Sequence, residues 1–414
     1  MLAHMQVTAQ NCTGGSFGDP VTGSEDFGSG SNPGAALSTE QSNLTYQPDC
    51  NISDTEYTIL NSVIGCHTEG WHNVLQDNTP DDVNGYMMVI NATDRTDVSG
   101  TFYYKKISGL CPNTTYSFSA YILNLIRLDV DGPNAKHPDL TFSIELPGET
   151  LSTSTGKIGP TAKPEFHLYP TTPFCFTTGN NTTEVVLKIT NNAPGGVGND
   201  LILDDISFRA VGSPTTVRFS TTTDTRQEIC AGESTSYQLN ATVTDAAYQN
   251  YQWQVNRGTG WQDISAADNA TANSKVFSLS INNAVAGTYK YRVGVAQAGN
   301  LASVNCRIYS EPLTITVNPL PVANAVDNIE FCEGETITVT ATGGVRYEWN
   351  GPGLPANAPA LNIPNATPAN SGIYTVTAVS DKGCPSIPKS VTVKVNPKVT
   401  ATIAAIQPIC ESDN

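Results

Sequence analysis

Two adjacent carboxylates, Asp204 and Asp205, interrupt an otherwise apolar stretch at 198–209, GNDLILDDISFR. Read with period two, Ile202, Asp204, Ile206 and Phe208 share one strand face. A carboxylate on the core side of a strand is costly unless it meets an opposite charge. The chain has few cations to offer, so a bound metal ion is the natural partner. Periodicity alone leaves open a strand end at which both carboxylates face water.

Other residues could be drawn as chemistry, and each has a plainer reading. Gly14-Gly-Ser16-Phe-Gly18 matches the Gly-x-Ser-x-Gly pattern, but a nucleophile elbow needs a strand before it and a helix after it, and neither is predicted. Cys66, His67 and His72 lack a further soft-ligand pair at zinc-like spacing. Asp129-Val-Asp131-Gly132 starts like a calcium loop without the later acidic ligands. Asp77, Asp81 and Asp82 read as a solvated acidic loop. Because no nucleophile, base and oxyanion donors assemble, the chain reads as non-catalytic. For binding, Trp71, His72, Tyr103, Tyr104 and Tyr169 lie near predicted loops or strand ends, where an exposed ring could stack on a sugar. Tyr103 and Tyr104 cannot both point the same way.

Composition sets the frame for these residues. The 414 residues allow two to four domains. Only 14% are charged, and Gly, Pro, Asn, Ser and Thr abound, which favours strands and turns. A formal charge of -17 argues against nucleic acid, whose phosphates require Lys and Arg. No stretch approaches the roughly 20 apolar residues of a membrane-spanning helix. Residues 1–9 read as the tail of a secretion signal, with Val7-Thr8-Ala9 as the small-residue cleavage site. Ten cysteines without a Cys-x-x-Cys pair point to disulfides and an oxidising compartment.

Residues 10–212 carry no internal repeat. Predicted strands at 57–60, 86–91, 100–107, 115–123, 140–145, 184–190 and 201–209 fit an all-β, two-sheet jelly-roll sandwich. The predicted core holds Met88, Ile90, Phe118, Ala120, Ile122, Phe142, Ile144, Val186 and Ile202. Repetition then begins: Cys230-Ala-Gly-Glu, Cys332-Glu-Gly-Glu and Cys410-Glu-Ser-Asp open successive units. The first two continue with a Trp strand (Trp253; Trp349), a small-Gly-x-Tyr turn (Tyr289; Tyr374), a second cysteine (Cys306; Cys384) and a final Val-Asn-Pro. These landmarks predict tandem immunoglobulin-like sandwiches at 213–318 and 319–396. Residues 397–414 begin a third repeat and are too few to complete it, so either the chain is a piece of a longer protein or the tail pairs with a neighbour. The expected disulfides are Cys230–Cys306, Cys332–Cys384, Cys50–Cys66 and Cys111–Cys175, with Cys12 and Cys410 left over.

Asn11-Cys-Thr-Gly-Gly, Phe27-Gly-Ser-Gly, Gly70-Trp-His72, the run from Asn84 to Asn91 (NGYMMVIN), the run from Gly109 to Tyr116 (GLCPNTTY) and the closing NDLILDDI resemble the N-terminal domain of large secreted Bacteroidetes surface proteins. Those proteins resemble gliding-motility adhesins: a jelly-roll head, immunoglobulin-like or PKD-like repeats and a type IX secretion sorting domain. The resemblance implies export and a surface role. This chain departs from it at Val211, where relatives carry a cysteine that would pair with Cys12, and in lacking the sorting domain. The head also resembles galactose-binding-like modules, which implies a structural calcium held by Asp204 and Asp205 with Glu25 or Asp26 on an N-terminal loop. The expected function is a secreted adhesin binding a glycan or another surface ligand. The alternatives are a self-assembling filament or surface-layer subunit, and the accessory carbohydrate-binding region of a polysaccharide-degrading enzyme.

Overall fold

The computed structural model describes residues 10–12, 15–21, 24–79, 82–92 and 100–405. Residues 1–9, expected to be the tail of a secretion signal, lie outside the described residues, as do Asp81 and Cys410. The fold is all-β. In the head, strands Gln10–Asn11, His167–Thr177, Thr115–Asn124, Leu201–Gly212, Met87–Asn91, Glu56–Leu60 and Thr45–Tyr46 lie side by side in that order, with Ser16–Pro20 pairing on Leu201–Gly212. A four-stranded sheet of Thr101–Ser108, Glu184–Asn191, Asp139–Leu146 and Glu149–Lys157 forms the other layer. Alternation drives this arrangement. In Thr115–Asn124 the residues Tyr116, Phe118, Ala120 and Ile122 are buried, and Ser117, Ser119 and Tyr121 between them are partly exposed.

The phase of the closing strand differs from its sequence reading. The register shifts between Asp204 and Ser207, and Asp205 has φ +48, which marks a β-bulge. Leu201 and Leu203 before the bulge therefore share the main core with Ile206, Phe208 and Ala210 after it. Ile202 points the other way, into a second cluster with Trp71, Val74, Met87, Val89 and Leu125. Asp204 thus does not share a face with Ile206 and Phe208. Val186 is only partly buried, since Val185, Leu187 and Ile189 carry that strand's core face.

Each repeat is an immunoglobulin-like sandwich. Trp253 and Trp349 are fully buried. The Tyr289 hydroxyl donates to the Val285 carbonyl at 2.9 Å and the Tyr374 hydroxyl to that of Asn370 at 2.8 Å, so each corner tyrosine ties back to backbone. The main core of the head runs on into the first unit through Val217, Phe219, Trp253 and Phe277, whereas the second unit has a core of its own around Trp349 and Tyr374.

The disulfides correct three expected pairings. Cys50 bonds Cys66, closing the local loop. Cys12, however, bonds Cys175, because strand Gln10–Asn11 pairs directly beside Cys175. Cys111 bonds Cys306 of the first unit, and Cys230 bonds Cys384 of the second. The reason lies in strand direction. The first strand of each unit runs parallel to its last, which sets Cys230 beside Asn318 and Cys332 beside Asn396. Gly287–Ala296 starts at that same end, with Gly287 opposite Val317, and runs away from it before the chain reaches Cys306. The two cysteines of one unit therefore sit at opposite ends of its sheet, roughly 30 Å apart at 3.3 Å per residue, far beyond disulfide reach. Among the described residues Cys332 is a free, exposed cysteine.

Candidate ligand-binding groove

Most of the aromatic candidates are structural. Trp71 is 6% exposed, packs on the His67 ring at 4.2 Å, and donates its indole N–H to Asp200 Oδ2 at 2.9 Å. Burial pushes the Asp200 carboxyl up to about 6. His72 is buried, which lowers its pKa. Tyr103 is wholly buried between the sheets, its hydroxyl 3.5 Å from Glu25 Oε2. Tyr104 points outward on the other layer, under the Lys188 ammonium. Tyr169 faces inward opposite Ala120 and packs on the core. The structure brings none of these five together. Ser16 belongs to the junction with the first unit, accepting the Thr215 N–H at 2.8 Å. Gly18 is required by close approach, since a Cβ there would strike the Arg307 carbonyl.

The acidic residues divide in two. Glu25 Oε2 pairs with Lys105 Nζ at 2.5 Å, and Asp26 caps a turn by accepting the Gly28 N–H at 3.0 Å. Asp204 is fully buried elsewhere, beneath the segment from Asp77 to Thr79. Its Oδ2 accepts the Asn78 backbone N–H at 2.9 Å and its Oδ1 the Asp205 N–H at 2.8 Å. Burial, reinforced by Asp205 and Asp77, pushes its pKa up to about 8. Asp205 accepts the Asn78 side-chain amide at 2.8 Å and the Thr79 hydroxyl at 2.7 Å. Asp77 is 3% exposed, its Oδ1 has no partner, and burial raises its pKa. Among the described residues, no three acidic, His or Cys side chains are placed to hold a metal ion. The four carboxylates of the expected quartet do not converge. Glu25 bridges Ile206 through its backbone and lines one groove with Asp26 and Asp205, but the Glu25 and Asp26 side chains are engaged in other contacts. Asp204 is buried, with Asp205 and Asp77 as the carboxylates acting on it.

A groove lies on the outer face of the large sheet, with a volume of about 590 Å³. Its floor is Ser117, Ser119 and Tyr121 of one strand and Ser207 and Arg209 of the next. Tyr121 stands at the centre, paired with Leu168 on one side and Asp204 on the other. One wall comes from Phe17, Pro20 and Ser24 to Asp26, the other from Leu168, Pro170, Thr171 and Pro173. The second wall exists because strand His167–Thr177 leaves register between Tyr169 and Phe174, where two prolines cannot donate to the ladder. Phe17 and Leu168 are 40% and 47% exposed. Hydroxyls, a guanidinium, carboxylates and apolar rims face a single space. The alternation of Thr115–Asn124 was the sequence signal for this floor.

No family model matches the chain, and no curated protein matches it. Among solved structures it is similar to the fibronectin(III)-like modules of Clostridium thermocellum CbhA, 17% identical over 44% of this chain and 95% of that one, with a TM-score of 0.23. It is also similar to the two tandem V-type regions of VCBP3, a v-region-containing chitin binding protein, 12% identical over 44% of this chain and 99% of that one, with a TM-score of 0.18. Likenesses at this level bear on neither ligand nor activity.

Proposed function

We propose that this chain is a non-catalytic extracellular recognition protein whose head takes a glycan in the groove over Tyr121 and whose two immunoglobulin-like units form the stalk, as in an adhesin. The groove carries this reading. Its volume falls within the range of small-ligand sites, and its floor alternates hydroxyl groups with a central ring. A pyranose offers an apolar face to such a ring and equatorial hydroxyls to serines, a guanidinium and carboxylates. Four disulfides among the described residues suit an oxidising exterior, and among those residues no helix is long and apolar enough to cross a membrane. Calcium is proposed as a structural partner of the head, neutralising Asp204 and Asp77 with backbone carbonyls completing the six to eight oxygens it requires.

The test is a glycan array probed with the whole chain, followed by titration of any hit. Tyr121→Ala is expected to weaken binding about tenfold, the equivalent of one lost stacking contact of about 1.4 kcal/mol. Arg209→Ala should weaken it comparably, and Tyr104→Ala, on the other layer, should leave it unchanged. A hit indifferent to Tyr121→Ala, or an array without a hit, rejects the glycan groove.

A further inference from the structure

Of the four disulfides among the described residues, two lie within the head, and the other two join one module to the next. Cys306, on the last hairpin of the first unit, reaches back to Cys111 of the head, and Cys384, in the same place on the second unit, reaches back to Cys230 of the first. Around Cys230 the receiving surface has defined chemistry. Glu228 precedes it by one turn of the strand pleat, accepts the Asn318 side-chain amide at 3.2 Å, and takes the Lys382 ammonium of the incoming hairpin at 3.4 Å.

The second unit carries the same surface. Cys332 ends strand Asn328–Cys332 opposite Asn396, as Cys230 ends Arg226–Cys230 opposite Asn318. Glu330 accepts the Asn396 side-chain amide at 2.9 Å, repeating the Glu228 and Asn318 contact. The Gly-Glu turn after each cysteine is held alike, with Gly232 N–H on the Ala284 carbonyl and Gly334 N–H on that of Ala366. Both cysteines therefore stand on the same backbone scaffold, with Glu330 paired to Lys394 of its own unit at 3.3 Å where Glu228 takes the incoming Lys382. Cys230 is bonded, yet among the described residues Cys332 is free and exposed.

We propose that Cys332, flanked by Glu330 and Asn396, is the docking face for a further immunoglobulin-like unit whose last-hairpin cysteine forms a disulfide with it. The array is then stapled in register, each unit bonded to the one before it. Closing the bond removes two electrons and two protons from the two thiols, and a disulfide oxidant such as oxidised glutathione accepts them. Stapling of this kind limits bending at the proline junctions and keeps the head at a fixed distance from the far end of the stalk.

The test appends a second copy of residues 319–396 after Asn396 of the whole chain and refolds it in a glutathione redox buffer. Alkylation and peptide mapping then follow each cysteine. The expected result is a peptide joining the inner Cys332 to the appended copy's Cys384, with alkylation of the inner Cys332 reduced at least tenfold and transferred to the outer Cys332. Cys384→Ser in the appended copy should restore that alkylation. A second chain appending residues 213–318 presents Cys306 on an independent scaffold and should protect the inner Cys332 equally. Full alkylation of the inner Cys332 in both chains, with the Cys230–Cys384 peptide intact, overturns the proposal, as does a Cys332–Cys332 dimer in place of the intramolecular bond.

Discussion

In chelator, Asp204 is expected to withdraw up to about 5 kcal/mol of the chain's stability as the pH rises from about 4 to about 8, and to contribute little change outside that window. Unfolded, it releases its proton near the ordinary 3.8; folded, it holds the proton until about 8, first because it is buried and then because Asp205 and Asp77 lie near it. Between those values the native state binds more protons than the unfolded state, so the free energy of unfolding falls as pH rises. Below the window both states are protonated and above it neither is, which flattens the curve at each end. Asp200, pushed up to about 6, steepens the acidic half in the same direction. Denaturant titrations at a series of pH values measure the slope, and Asp204→Asn should flatten its upper half. Calcium added at about pH 8 should return part of the loss, because a cation relieves the same carboxylates that the proton relieves. Identical curves in calcium and in chelator would leave the proton alone in that role and remove the metal.

How much of this was readable beforehand depends on whether the cause was local. Strand positions such as Thr115–Asn124 and Glu184–Asn191 follow from alternation and turn residues, which act over a few neighbours. The corner tyrosines and buried tryptophans of the repeats also follow, since they recur in order. The face of Asp204 did not, because a one-residue bulge at Asp205 reverses every side chain beyond it. Trp71 read as a candidate for ligand contact because its cover is built from residues remote in sequence that meet only in the fold, such as Met87, Val89 and Ile202, with Asp200, just before the closing strand, accepting its N–H. The disulfides were misread for a similar reason. Proximity along the sequence favoured pairing within a unit, whereas the parallel pairing of first and last strands separates those cysteines along the sheet. The groove floor was present in the pattern of Ser117, Ser119 and Tyr121, but its wall depended on Pro170 and Pro173 breaking a strand that alternation alone could not detect.

Arg292→Ala should loosen the head from the first unit at a cost of about 1.5–3 kcal/mol, the range for hydrogen bonds to charged groups, because the Asp19 side chain is itself 49% exposed and remains solvated when its partner is lost. Arg292 is 7% exposed and reaches across the junction to Asp19, Nη1 to Oδ1 at 2.8 Å and Nη2 to Oδ2 at 2.5 Å. Its Nε donates to Gln254 at 2.8 Å, and its plane lies between Tyr309 at 3.7 Å and Trp261 at 4.2 Å. Gln254 in turn donates to Asp263 at 2.8 Å, which pairs with Arg307 at 2.7 Å, so the guanidinium organises a network and not one contact. Arg292→Lys should recover little, since an ammonium can neither fork onto a carboxylate nor stack flat between two rings. Because Cys111–Cys306 still tethers the modules, they will not separate; the change appears in calorimetry, where the single transition expected of a shared core splits into two. Asp19→Ala alone should split it less, and adding Asp19→Ala to Arg292→Ala should cost little more, giving a large coupling energy in the double-mutant cycle. Additive losses in that cycle, or one undivided transition in Arg292→Ala, would mean that the shared apolar core alone fixes the head on its stalk.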